Sequence, residues 1–254
     1  MQRGKEALIA LNVAREKPGT ILDVLQERGW KPTIVDLEAG EAFPSPKKYG
    51  ALIVMGGPPS VNLAKNAPGE ATWMKNELDK VREALDANVG FLGVCLGAQA
   101  LAKAAGGEII TFPHSKQVGL REANNPKGKF YSVQLTAEGK QDPLFKGLGD
   151  TLPVFHLQGE AVQLTPDMQP AAKLLAKDKV VPTQVFKVGE RAYGTQGHFE
   201  LTPQMLDQWL AQDPDLLALG KRDIEQVRAD FQKKKEEYTQ TGRTIFNNFL
   251  NLLS

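Results

Sequence analysis

Cysteine occurs once in the 254 residues, at position 95, framed by glycines in the run Gly93-Val94-Cys95-Leu96-Gly97. An apolar run, residues 89–92, precedes it, and an alanine-rich segment, residues 98–105, follows. Strand, sharp turn and helix in that order make a nucleophile elbow, which lifts one reactive side chain out of the turn. Glycines flank such a turn because the strand and helix backbones approach too closely for side chains. A thiol there also faces the positive end of the helix, which favours its thiolate form.

A cysteine nucleophile needs a base, and the base needs a group to orient it. The histidines are His114, His156 and His198, and only His198 has a carboxylate, Glu200, two residues on. Both lie at the end of an apparent strand, residues 192–197; in an extended chain, residues i and i+2 point the same way, so imidazole and carboxylate become neighbours. Alone, the pair also reads as a surface histidine beside a charged loop; the glycine-framed cysteine ties it to chemistry. Nothing pairs His156 with Cys95, so a structural role is expected for it. His114 reads as a loop residue.

A third element is Met55-Gly56-Gly57-Pro58-Pro59-Ser60, after an apolar run. A Gly-Gly-Pro segment is a turn in most settings. At the carboxyl end of a parallel strand it opens onto the crevice where α/β folds bind ligands. There the amides of Gly57 and Leu96 would form a two-donor hole for a developing oxyanion.

The elements that must position these groups follow from hydrophobic patterning. Residues 7–13, 30–37 and 49–55 read as strands, the first being a short apolar run of the kind buried on both faces. Between them Thr20 reads as the N-cap of a helix over residues 21–28, and Trp73, Leu78, Val81 and Leu85 recur at helical spacing over residues 70–87. Strands alternating with helices imply a parallel sheet covered on both sides. Between residues 108 and 194, short strands (residues 129–135, 180–188 and 192–196) are divided by Gly, Pro and Asn turns. They predict an antiparallel extension followed by return to the main sheet. The tail from residue 215 is helical in pattern, with the charged residues 233–237 as a solvated face and residues 245–253 docking an apolar face. The expected organisation is one α/β domain over residues 1–212 and a helical extension, residues 213–254, packed on it.

Composition narrows the function classes. A formal charge of +1 offers no general attraction to nucleic acid or to an anionic membrane. One cysteine permits no intrachain disulfide, so a reducing, cytoplasmic setting is expected. No apolar run approaches the roughly 18 residues that span a bilayer. No zinc-ligand spacing and no phosphate-binding Gly-x-x-x-x-Gly-Lys loop occurs, so neither metal nor cofactor is expected.

With these residues in place, the chain resembles the triad-type class I glutamine amidotransferases, specifically free-standing members similar to the glutaminase domain of GMP synthase. The matching stretches are residues 53–58, 93–99, 116–119, 142–145 and 193–200, in the family's order; together they cover about residues 7–210. The resemblance implies a flavodoxin-like fold, with Cys95 attacking the side-chain amide of glutamine, His198 shuttling the proton and Glu200 orienting His198. It also implies that Gly57 and Leu96 hold the oxyanion and that Gln99, Gly56 and Gln158 line the substrate pocket. The implied product chemistry is a γ-glutamyl thioester, release of ammonia and hydrolysis to glutamate, with a separate synthetase subunit as possible acceptor of the ammonia.

Three departures stand out. The usual His-Pro-Glu is His198-Phe199-Glu200; Trp-His-Gly-Asp is replaced by Leu157-Gln158-Gly159-Glu160; and the Phe before the histidine is Gly197. The alternatives are a γ-glutamyl peptide hydrolase and a catalytically altered binding protein of the same fold. A redox or glyoxalase-like role, known for other elbow cysteines, ranks below both because those sites usually lack Gln99 and the His-x-Glu pair.

Overall fold

The computed structural model describes residues 4–62, 70–111, 117–119, 131–179 and 181–253. In its first half, strands and helices alternate: β1 (Glu6–Leu11), α1 (Thr20–Glu27), β2 (Lys31–Asp36), β3 (Ala51–Val54), α2 (Glu70–Asp86), β4 (Gly90–Val94) and α3 (Leu96–Ala104). Shorter strands follow: β5 (Glu108–Thr111), β6 (Gln117–Gly119) and β7 (Ser132–Leu135), then α4 (Ala137–Gln141) and β8 (Thr151–Pro153). Next come β9 (His156–Gln158), β10 (Glu160–Gln163), β11 (Ala172–Lys177), β12 (Val185–Val188) and β13 (Ala192–Thr195). The chain ends in α5 (Pro203–Gln212), α6 (Pro214–Leu217) and the 31-residue α7 (Lys221–Asn251).

Nine strands form one sheet in the order β2-β1-β3-β4-β13-β12-β11-β7-β8. Five of them, from β2 to β13, run parallel; the rest continue the same sheet antiparallel. Side chains alternate across β1, so Ala7, Ile9 and Leu11 face one side with Ile21, Leu25, Ile245 and Phe249, while Leu8 and Ala10 face the other with Val81, Ala84 and Leu101. Helices α1 and α7 thus cover one face and α2 and α3 the other.

The insertion of β13 beside β4 is what builds the site. Thr195 is in register with Val94, and the Cys95 amide donates to the Thr195 carbonyl at 2.8 Å. The two chains therefore leave the sheet side by side, at the end where β1 and β3 also finish. The strand expected to run to Gly197 stops at Thr195. Thr20 is the first residue of α1 rather than its cap; Gly19, at φ 46, caps it, and the Thr20 amide donates to the Glu200 carbonyl at 3.0 Å.

The apolar face of the tail docks as expected, with Ile245, Phe246, Phe249 and Leu250 buried, and the charged residues 233–237 largely exposed. His114, Lys116, Lys129 and Val180 lie outside the described residues. Among those described, no helix is long and apolar enough to cross a membrane.

Helix α7 meets the His198 segment at Gly242, where an added Cβ would lie 2.0 Å from the Phe199 carbonyl oxygen. On a free helix surface, Gly→Ala stabilises by about 1 kcal/mol. Here Gly242→Ala is expected to do the opposite, destabilising by roughly 1–3 kcal/mol through overpacking. Denaturant unfolding reads the sign directly, and a stabilised variant would show that helix and segment are not pressed together.

Candidate active site

Cys95 occupies the turn between β4 and α3 at φ 50, ψ −105, a left-handed conformation unusual for a residue with a side chain. Such strain costs on the order of 1–3 kcal/mol and persists only when the surroundings enforce it. They do: a Cβ on Gly93 would lie 2.3 Å from the Gly97 carbonyl oxygen, and one on Gly97 only 2.1 Å from that of Val54. The thiol points to the Leu157 carbonyl at 3.8 Å, and Gln196 Nε2 reaches Sγ at 3.9 Å.

His198 arrives opposite by a two-residue antiparallel bridge to Phe155, its amide donating at 2.8 Å and its carbonyl accepting at 3.2 Å. Its Nδ1 lies 2.7 Å from Glu200 Oε1, and both side chains are 1% exposed. The ring stands edge-on to Trp209, centroids 4.9 Å apart. Tyr238 from α7 donates its hydroxyl to the His198 carbonyl at 2.8 Å. Nε2 has no hydrogen-bond partner, yet Cys95 is near enough to act on the ring electrostatically. Burial opposes protonation of the imidazole, but the Glu200 charge and then Cys95 outweigh it and hold its pKa well above the usual histidine value.

Two of the departures gain a physical account. The Phe199 amide donates to Glu200 Oε2 at 2.9 Å, a bond that proline, lacking an N–H, cannot make. Glu200 is thereby held at both oxygens. At Gly197 a Cβ would lie 2.2 Å from Val154 Cγ2 and 3.3 Å from His156 Nδ1, so no phenylalanine fits. Val154 and the fully buried His156 share that space, the imidazole lying 3.3 Å from Asp178 Oδ2 and edge-on to Tyr131. Burial pushes its pKa down despite Asp178, which favours a neutral packing residue.

The remaining expected site residues converge on the same end of the sheet. Gly57 lies against Leu96, an added Cβ coming within 3.3 Å of Leu96 Cδ2. Gln99 is buried one turn along α3, its amide bonded to the Cys95 carbonyl at 3.0 Å. Gln158 is buried next to Leu157. Gly56 faces a residue that sequence reasoning passed over: its Cβ would lie 2.0 Å from Glu16 Oε2 and 3.3 Å from Cys95 Cβ. Asn12, also passed over, donates Nδ2 to the Met55 carbonyl at 2.8 Å and so steadies the Gly56-Gly57 turn. Both follow β1, and a polar residue just past a parallel strand was the available signal. Trp209 and Tyr238 carry no local signal. Among the described residues, no cluster of three or more His, Cys, Asp or Glu could hold a metal ion.

Behind Asn12, Glu77 of α2 is fully buried. Burial, partly offset by Asn12, pushes its pKa from 4.5 up to about 8. A carboxyl raised on folding takes up protons, so its contribution is intact below pH 4.5 and lost as pH rises through about 8. Glu77→Gln is therefore expected to match the wild-type Tm below pH 4.5 and to exceed it increasingly toward pH 8. A Tm difference independent of pH would contradict the buried ionisation.

The sequence profile of the glutamine amidotransferase class-I family matches residues 19–213. The chain is 28% identical over 217 residues to the glutamine amidotransferase-like protein YfeJ of Salmonella typhimurium, covering 84% of this chain and 83% of that one. It is 26% identical over 214 residues to γ-glutamyl peptidase 3 of Arabidopsis thaliana, covering 80% and 75%. Against GMP synthase of Streptomyces avermitilis it is 31% identical over 156 residues, 61% of this chain but a quarter (25%) of that protein. Among solved structures, a glutamine amidotransferase from Thermotoga maritima superposes with a TM-score of 0.80 at 22% identity, covering 96% of this chain and 97% of that one.

Proposed function

The chain belongs to the class-I glutamine amidotransferase family, and we propose that it hydrolyses the γ-amide of glutamine, or of a γ-glutamyl compound, through a thioester on Cys95. The carrying observation is the state of His198: Nδ1 is committed to Glu200, while Nε2 is unpartnered on a ring that Cys95 influences. A base in that position takes the thiol proton as sulfur attacks the γ-carbonyl carbon. In this reading the carbonyl oxygen becomes an oxyanion between the Gly57 and Leu96 amides. His198 returns the proton to the departing nitrogen, the C–N bond breaks and ammonia leaves a γ-glutamyl thioester. Water, deprotonated by His198, attacks the thioester; the C–S bond breaks, giving glutamate and free Cys95. Gln99, Gly56 and Gln158 line the substrate side, and Glu200 keeps Nε2 aimed at the reaction.

Two destinations exist for the leaving nitrogen. Ammonia passes to a separate synthetase subunit, or the leaving group is an amine and the substrate a γ-glutamyl peptide. The second reading is supported by the similarity to γ-glutamyl peptidase 3 along three quarters of that protein (75%). The tail from residue 213 belongs to the same working unit in either case, since Tyr238 and Gly242 bear on the His198 segment. With one cysteine and no disulfide to preserve, we place the reaction in the reducing cytoplasm.

Purified protein incubated with glutamine and a panel of γ-glutamyl dipeptides is expected to release glutamate. Cys95→Ala should abolish both turnover and labelling by a glutamine-analogue electrophile, and Glu200→Gln should slow turnover by roughly 10²-fold. No release from any γ-glutamyl compound, together with no labelling of Cys95, would favour a binding protein of the same fold.

A further inference from the structure

Glu16 has no part in the reading above, yet its side chain is built into the site. It follows β1, is 5% exposed, and its Oε2 has no hydrogen-bond partner. The same point in space that Gly56 leaves empty, 2.0 Å from that oxygen, is 3.3 Å from Cys95 Cβ. Carboxyl, glycine turn and nucleophile therefore meet at one place. A residue that merely filled this space would be cheaper as an apolar one, because an unpartnered buried polar group costs free energy.

The charged neighbours that act on Glu16 are His198, Arg15, Glu200 and Asp213. Arg15 is engaged by Asp213 at 2.8 Å, and the Arg15 carbonyl is fixed by the Trp209 indole at 2.9 Å. Glu200 has both oxygens occupied by His198 and the Phe199 amide. Of the two cations, His198 acts on Glu16 more strongly than Arg15, which Asp213 already engages.

We propose that Glu16, built in beside Gly56 and Cys95, is a positioning residue that acts through His198, its carboxylate giving the imidazolium a second negative neighbour besides Glu200. The proposal rests on Cys95 and His198 being the reacting pair. His198 becomes an imidazolium when it takes the Cys95 proton, so a carboxylate that stabilises the imidazolium favours the reactive thiolate. Burial, partly countered by His198, pushes the Glu16 pKa up to about 7, so the charge arrives only as pH rises through neutrality.

The test uses full-length wild-type, Glu16→Gln and Glu16→Asp proteins, with Cys95 alkylation by iodoacetamide and glutamate release both followed against pH. Alkylation needs no substrate. In the wild type its rate profile is expected to contain an ionisation near pH 7; in Glu16→Gln that step should vanish, and in Glu16→Asp it should return, shifted. Turnover of Glu16→Gln should fall on the order of tenfold in kcat, the equivalent of about one pKa unit of imidazolium stabilisation, with KM little changed. Superimposable alkylation profiles for wild type and Glu16→Gln would overturn the proposal, as would a raised KM with unchanged kcat. If no variant releases glutamate but the alkylation step still depends on Glu16, the amidohydrolase reading fails and the coupling of Glu16 to the pair stands.

Discussion

The structure depends on one buried contact, the 2.7 Å bond between His198 and Glu200. Two groups that want charge are held out of water, and such a pair survives only with close geometry and further hydrogen bonds to its members. The Phe199 amide answers Glu200, the Tyr238 hydroxyl answers the His198 carbonyl, and the Thr20 amide answers the Glu200 carbonyl. Each comes from a different part of the chain, so the fold around the site is largely a device for holding these two residues in a dry place.

That requirement explains otherwise unrelated features. Gly19 admits no side chain, since it has φ 46 and the Glu200 carbonyl oxygen lies 2.2 Å from where a Cβ would be. Gly242 sits within the continuous 31-residue α7, and its missing side chain lets that helix lie against the Phe199 carbonyl. Trp209 shields the imidazole edge-on while anchoring its own N–H on Arg15. The strain at Cys95 belongs to the same arrangement, since tight packing of Gly97 against β3 leaves the turn no gentler path.

Buried carboxyls Glu16 and Glu77 lie near the glycine turn, one against Gly56 and the other behind Asn12. Burial raises both above the ordinary carboxylate range. Acids raised by burial beside one turn are the kind of perturbed groups that gather at functional sites.

Much of this was legible from residue order. The alternation of apolar runs and helical spacing specified the parallel half of the sheet because both are local periodicities. Glycines around Cys95 revealed the elbow because close backbone approach excludes every other residue, and the His-x-Glu spacing revealed its partner. The exchange at Gly197 was not legible: Val154 and His156 fill the gap from about 40 residues away, and only packing can reveal such a trade. Nor could the chain order show that β13 would slot in beside β4, making neighbours of Cys95 and His198. Strand order, side-chain burial and the answering of buried polar atoms are properties of contacts between distant segments, so Glu16, Asn12, Trp209 and Tyr238 acquired their places only when the chain was folded.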